Sequence, residues 1–306
     1  VEGDLLGHDT HGLALLAGYV KEIESGGMTR DGAPEVLSDR PAAVLWDGMR
    51  LPGPWLVEQG LDLLIPRARD LGTASLVIRR SHHIACLAVY MLRALEEDML
   101  MLLACSDPNT ASVAPFGGTQ AVFTPNPLAM GFPLTDGGVM VDISASITTN
   151  GMSNRKRAAG ETFAEQWLID AEGRPSNDPQ VLFEQPPGTL LPVGGLSHGH
   201  KGYGMALLVE TLTGGLAGHG RADAPEGWGA TVYITLHDLN DRYRRLFLTS
   251  RPFDRAVRRE HTDICNAALD RNADLACGIL REHIERTGAN IRKALLKNEA
   301  PLKQAA

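Results

Sequence analysis

Ala74-Ser-Leu-Val-Ile78 runs through two arginines into Ser81-His82-His83. A helical stretch, Ala85 to Glu97, follows, and Met99-Leu-Met-Leu-Leu-Ala-Cys105 then ends in Ser106-Asp107-Pro108. The two apolar runs are strand-sized, and the segment between them has helical periodicity. Strand, helix and strand in succession predict a layered α/β fold. The polar residues lie just past the strand ends, where open α/β sheets hold their ligands.

The same alternation extends outward. Leu13, Leu16, Val20 and Ile23 are spaced for a helix that Gly26-Gly27 stops. Ala42 to Trp46 reads as a strand closed by the turn Asp47-Gly48, and Leu56 to Leu71 as a helix ended by Gly72. Val139 to Ile143 is a further strand, with Asp142-Ile-Ser144 at its end. Gln166 to Asp170 forms half of a hairpin turning at Ala171-Glu-Gly173. Tyr203 to Leu216 is an apolar helix and Ala230 to Leu236 a strand.

After Leu236 the character changes. Residues 237–306 carry 14 Lys+Arg against 10 Asp+Glu, and the first 236 carry 15 against 27. Only Gly278 and Gly288 of the 33 glycines lie in the later part. Asp254 to Arg271 and Asp274 to Lys297 read as two helices. The second has Leu275, Ile279, Leu280, Ile284, Ile291 and Leu295 on one stripe and Asp274 as its N-cap. An acidic, Gly-rich part joined to a basic, helical part predicts two domains, 1–236 and 237–306.

The net charge of −8 argues against nucleic acid as the main partner. No apolar run reaches the ~20 residues of a membrane helix, and the start is not a signal peptide. Cys86, Cys105, Cys265 and Cys277 have no CxxC spacing and read as buried free thiols of a cytoplasmic protein.

Two further polar clusters precede helices. These are His8-Asp-Thr-His11-Gly12 and His198-Gly-His-Lys201-Gly202-Tyr-Gly204. A glycine-rich turn with one lysine at a helix start is a ready anion site, since free N–H groups and the dipole face the ligand. His8, His82, His198 and His219 read as structural. No GxGxxG, Walker loop or HExxH is present, so a Rossmann fingerprint and the common zinc-hydrolase motif are both absent.

Taken together, residues from about Gly7 to Leu236 resemble the malate/L-lactate dehydrogenase type 2 family. The carriers are Gly7-His-Asp-Thr-His-Gly12, Tyr19 with Gly26-Gly27, Asp47-Gly48, Ser81-His-His83, Ala114-Pro-Phe-Gly-Gly118, Asn126-Pro-Leu-Ala129, Val141-Asp-Ile-Ser144, Asp178-Pro179 and Lys201-Gly-Tyr-Gly204. The resemblance implies a mixed-sheet α/β fold that binds NAD or NADP without the Rossmann motif, and a homodimer. It implies hydride transfer between that cofactor and a small 2-hydroxy, 2-keto or imino acid, with no metal. His11 and His83 match the histidines that handle the substrate proton. Ser106, Asp142, Ile143 and Ser144 match positions along the nucleotide, and Lys201, beside Gly202, matches a cofactor-contacting lysine.

This chain departs from the pattern at Leu15, where many members have an arginine able to clamp a carboxylate. Phe123-Thr-Pro-Asn-Pro127 stands for the family's Gly-Thr-Asn-Pro. The helical lead-in and the later Pro-Gly-Glu stretch of the family are not found. Instead, Leu239 to Leu296 resembles the last helices of the FCD ligand-binding domain of GntR-type regulators. The carriers are Arg259-Glu-His261, Asp270 to Asp274 and Arg281-Glu-His283. His261 and His283 match two of that domain's four metal ligands. The alternatives to a working oxidoreductase are therefore an inactive fusion or fragment, or a metal- or ligand-sensing regulator piece.

Overall fold

The computed structural model describes residues 1–134, 137–223, 227–238 and 255–298. The chain forms two compact units, Val1–Asn240 and Asp241–Ala306. Among the described residues no helix is long and apolar enough to cross a membrane.

The first unit is built on a seven-stranded sheet. Its strands are β1 (Glu35–Arg40), β2 (Ala43–Asp47), β3 (Thr73–Ser81), β4 (Leu100–Ser106), β5 (Pro127–Pro133), β6 (Gly138–Ser144) and β10 (Ala230–His237). Their order is β1-β2-β3-β10-β4-β5-β6. Only β2 and β3 pair in parallel, so the sheet is mixed. That parallel step needs a crossover, and helix α3 (Gly53–Leu71) supplies it, ending on Gly72 in the left-handed conformation at φ +83.

The opening strand–helix–strand stretch is β3, α4 (Ala88–Glu96) and β4. These strands are not neighbours in the sheet. Strand β10, last in this unit, inserts between them and runs antiparallel to both. The polar ends of β3 and β4 therefore lie on either side of the start of β10. Ala230 pairs with Ser81, and Thr231 with Ser106.

Two strands of this sheet have no clear signal in the sequence. β1 is almost fully exposed, so nothing forces an apolar alternation on it. β5 is bounded by Pro127 and Pro133 and contains Gly131. A Cβ on Gly131 would lie 2.9 Å from Met91 Cβ, so its absence lets α4 pack directly on the strand.

Leu56, Leu61 and Leu64 of α3 are fully buried against Leu76 and Ile78 of β3 and Val232, Ile234 and Leu236 of β10. Each such side chain contributes about 1.5–3 kcal/mol of transfer free energy. A smaller core holds Val113, Phe123, Phe163, Leu168 and Leu190. It lies around the short strands β7 (Leu168–Ile169), β8 (Pro175–Ser176) and β9 (Thr189–Leu190), which form the expected hairpin with one added strand.

Helix α1 is Glu2–Leu5 and α2 is Leu16–Glu24. The α2 stripe forms as the spacing predicts but is not covered. Leu13, Leu16, Val20 and Ile23 are 56%, 58%, 45% and 37% exposed. The remaining α-helices among the described residues of the unit are α5 (Asn150–Ala158), α6 (Gly195–His198) and α7 (His200–Glu210). The end of the predicted Tyr203–Leu216 helix is a π-helical turn, Thr211–Gly215.

In the second unit, helices Arg255–Leu269 and Ala273–Asn298 pack together. The stretch 239–254, where the regulator resemblance begins, lies outside the described residues. Asn272, not Asp274, caps the second helix, its Oδ1 accepting the N–H of Leu275 at 3.1 Å. The helix starts at Ala273, which places Asp274 inside the first turn. The cysteine expectation splits. Cys86 and Cys105 are buried free thiols, but Cys265 and Cys277 are exposed, because the helices that carry them leave those faces uncovered.

Candidate functional site

The turn after β3 carries His83 into a nest of rings. His83 stacks on His11 with ring centroids 5.7 Å apart and planes 29° apart. Trp228 closes the other side at 4.8 Å. The Tyr19 hydroxyl lies 2.8 Å from His83 Nδ1, which also accepts the N–H of Ala85 at 3.3 Å. A backbone N–H only donates, so Nδ1 is an acceptor and the proton of the neutral ring sits on Nε2.

Electrostatics keep the ring neutral. Burial drives the His83 pKa down to about 3, with His11 and His82 adding unfavourable charge. The ring is therefore a neutral N–H donor at any ordinary pH. His11 is lowered less, since burial and His8 depress it while the nearby Asp142 carboxylate opposes them. Thr10 Oγ1 lies 3.0 Å from His11 Nδ1 and fixes the ring. His82 is fully buried beside Tyr19 and Trp228, and its Nε2 lies 3.6 Å from Glu22 Oε2, beyond hydrogen-bond reach. Its ring nitrogens find no hydrogen-bond partner.

Asp142 reaches the same place from β6. Its Oδ2 accepts the N–H of Ala88 at 2.9 Å, so this carboxylate caps α4 from across the fold. Burial raises its pKa, against the Ala88 N–H and the nearby His8 and His11. Ser144 is two residues further on the same strand and so shares the face of Asp142. Its hydroxyl donates to Ser146 O at 2.7 Å. Ile143 points the other way and is 46% exposed.

The Lys201 turn is brought to the end of this strand by a close backbone approach. A Cβ on Gly202 would lie 2.3 Å from Val193 N and 2.5 Å from Ala145 O, so only glycine fits. Lys201 is exposed beside it. The expected row of free N–H groups is not all there. Gly202 N–H donates to Val193 O and Tyr203 N–H to Gly199 O, because short helix α6 runs almost directly into α7.

Ser106 does not join the group. It is 2% exposed, donates to Glu210 Oε1 at 2.7 Å and accepts from Arg221 at 3.2 Å. Arg221 and Glu210 are themselves paired at 2.8 Å. This polar network uses the hydroxyl's only proton, so a ligand acceptor would have to break it.

Sequence reasoning assigned no chemical role to Tyr19 or Trp228. Tyr19 lies among the apolar positions of α2, and Trp228 stands between Gly227 and Gly229, a pattern that reads only as a turn. A cavity of about 520 Å³ also opens at the sheet mouth, with Gly27, Arg50, Arg80, Ser81 and Asp107 in its wall. It contains none of the predicted site residues. In the second unit, His261 and His283 face each other with Nε2 atoms 3.4 Å apart, and His283 Nδ1 lies 2.9 Å from Glu260.

Residues 1–233 match the family described as malate/L-lactate dehydrogenase. The chain belongs to the malate/L-lactate dehydrogenase family. Within it, the chain is 33% identical over 221 residues to a malate dehydrogenase of Pyrococcus horikoshii, a match covering 71% of this chain and 60% of that one. It is 30% identical over 222 residues to a (2R)-3-sulfolactate dehydrogenase (NADP(+)) of Chromohalobacter salexigens, covering 71% and 63%. The chain thus spans under two thirds of the length of these relatives. Among solved structures, a delta1-piperideine-2-carboxylate reductase of Pseudomonas syringae pvar. tomato superposes with a TM-score of 0.67 at 25% identity, covering 88% of each chain. The mixed sheet with β10 between β3 and β4 is thus a malate/L-lactate dehydrogenase family fold, and the paired rings of His11 and His83 sit within its matched region.

Proposed function

We propose that the first unit is an NAD(P)-dependent oxidoreductase that interconverts a small 2-hydroxy acid and its 2-keto acid, or reduces a cyclic imino acid. The observation that carries this reading is the stacked His11–His83 pair with Asp142 against it. The names of the relatives, which include a malate dehydrogenase, a sulfolactate dehydrogenase (NADP(+)) and a delta1-piperideine-2-carboxylate reductase, support the substrate class and cofactor.

The residues fit a dinucleotide along β6. Asp142 and Ser144 share one face, and the backbone next to Lys201 meets the end of the strand at Ala145. When bound, the nicotinamide supplies or accepts the hydride. The protein's own part is proton chemistry and positioning. In the reductive direction His83 Nε2–H donates a hydrogen bond to the substrate oxygen or nitrogen, and protonated His11 delivers the proton. In oxidation neutral His11 removes it. Leu15 leaves no guanidinium four residues after His11, so the carboxylate is held elsewhere than in a malate enzyme with that arginine.

The test is titration with NADH and NADPH, followed by a panel of 2-keto and cyclic imino acids read at the nicotinamide absorbance. Lys201→Ala is expected to weaken cofactor binding about tenfold to a hundredfold, the range for one hydrogen bond to a charged group. An unchanged affinity removes Lys201 from the nucleotide site.

The exposed stripe Leu13, Leu16, Val20 and Ile23 supports a homodimer, because a second copy would bury it. Sedimentation is expected to give the mass of two chains, and Val20→Asp the mass of one. A wild-type monomer at micromolar concentration contradicts this.

A further inference from the structure

Three metal-ligating side chains meet beside the histidine pair. His8, Cys86 and Asp142 each offer one ligand atom, and these atoms lie within 4.8 Å of one another. The Cys86 thiol is 3.9 Å from Asp142 Oδ2. The three residues come from separate segments, and the backbone is shaped to bring them together. Ala85 adopts φ +59, a left-handed conformation unusual for a residue with a side chain, and this turns Cys86 inward. Gly3 of α1 lies so close that a Cβ there would be 3.2 Å from Cys86 Cβ. The His8 N–H donates to Gly3 O at 2.8 Å, which seats His8 over the same spot. Ala88 N–H holds the Asp142 carboxylate in place, as outer donors do for metal-binding carboxylates.

We propose that His8, Cys86 and Asp142 form a site for one zinc-like divalent cation, with a fourth coordination position left open. A thiolate, an imidazole and a carboxylate make a tetrahedral N, S, O set suited to zinc. Magnesium and calcium want six or more oxygens and are excluded. On binding, the Cys86 S–H bond breaks, its proton goes to solvent and the sulfur bonds the metal, with no change of oxidation state. The sequence spacing of the three residues matches no metal motif, and the site shares Asp142 with the face offered above to the dinucleotide. It is also separate from the His261–His283 pair of the second unit.

Cobalt(II) titration of the purified chain tests the proposal directly. The expected result is a thiolate-to-cobalt charge-transfer band that saturates at one ion per chain and is removed by added zinc. Cys86→Ser abolishes the band, whereas Cys265→Ser/Cys277→Ser and His261→Ala/His283→Ala keep it. His8→Ala weakens cobalt binding by at least about tenfold, since even losing an outer partner costs about 10–100-fold. In the His261→Ala/His283→Ala background zinc raises the melting temperature, and adding His8→Ala removes that shift. This arm decides the matter if Cys86→Ser does not fold. A band that survives Cys86→Ser, no band at all, or a zinc shift that survives His8→Ala overturns the site.

Discussion

His11→Ala lowers the rate of hydride transfer about 10²–10⁴-fold, the contribution of a positioned acid–base group, with little change in cofactor affinity. Stopped-flow oxidation of NAD(P)H with the accepted keto or imino acid separates the two quantities. The pH profile sharpens the expectation. His11 titrates below the ordinary imidazole value, so its neutral form dominates at pH 7. Oxidation of the hydroxy acid needs that form. Its rate therefore rises with pH through the lowered His11 pKa and is flat above it, while the reductive rate falls over the same range. In His11→Ala both limbs vanish. A variant that keeps the wild-type profile sinks the assignment of His11 as the proton carrier.

His83→Ala lowers transfer about 10²–10³-fold, as removal of one preorganised donor to a developing oxyanion does, but for a different reason and with a different signature. The Ala85 N–H and the Tyr19 hydroxyl fix the ring as the Nε2–H tautomer, and a pKa of about 3 keeps it neutral. Its donor form is present above that value, so it adds no limb to the profile between pH 4 and pH 9. His83→Ala should lose rate and keep the His11 limb. Tyr19→Phe removes one of the two groups that orient the ring and should cost less than His83→Ala. Equal pH profiles for His11→Ala and His83→Ala, with the limb gone from both, would show that the two rings titrate as one unit and that the division of roles is wrong.

Much of the candidate site was legible in short motifs. His11, His83 and Asp142 each follow a recognisable turn or strand end, and the structure places them together. Ser106 shows where that logic stops. It follows a strand as the others do, but β10 inserts beside β4, and the Arg221–Glu210 pair reaches the hydroxyl first. Tyr19 and Trp228 were invisible as site residues because their role is contact across more than sixty residues of chain. The free N–H groups expected around Lys201 failed for a local reason, since Gly202 and Tyr203 N–H are taken by Val193 O and Gly199 O.

The sequence by itself determined the alternation of strands and helices, the amphipathic stripes, the family and the residue types at the strand ends. All of these are local patterns of polarity and backbone preference, which a linear chain displays. The tertiary structure alone decided that β10 lies between β3 and β4 and that Gly131 and Gly202 are points of close approach. It also decided that His83 is a neutral donor and that His8, Cys86 and Asp142 meet. Those outcomes depend on burial and on distances between segments remote in the chain, and neither quantity exists until the core has packed.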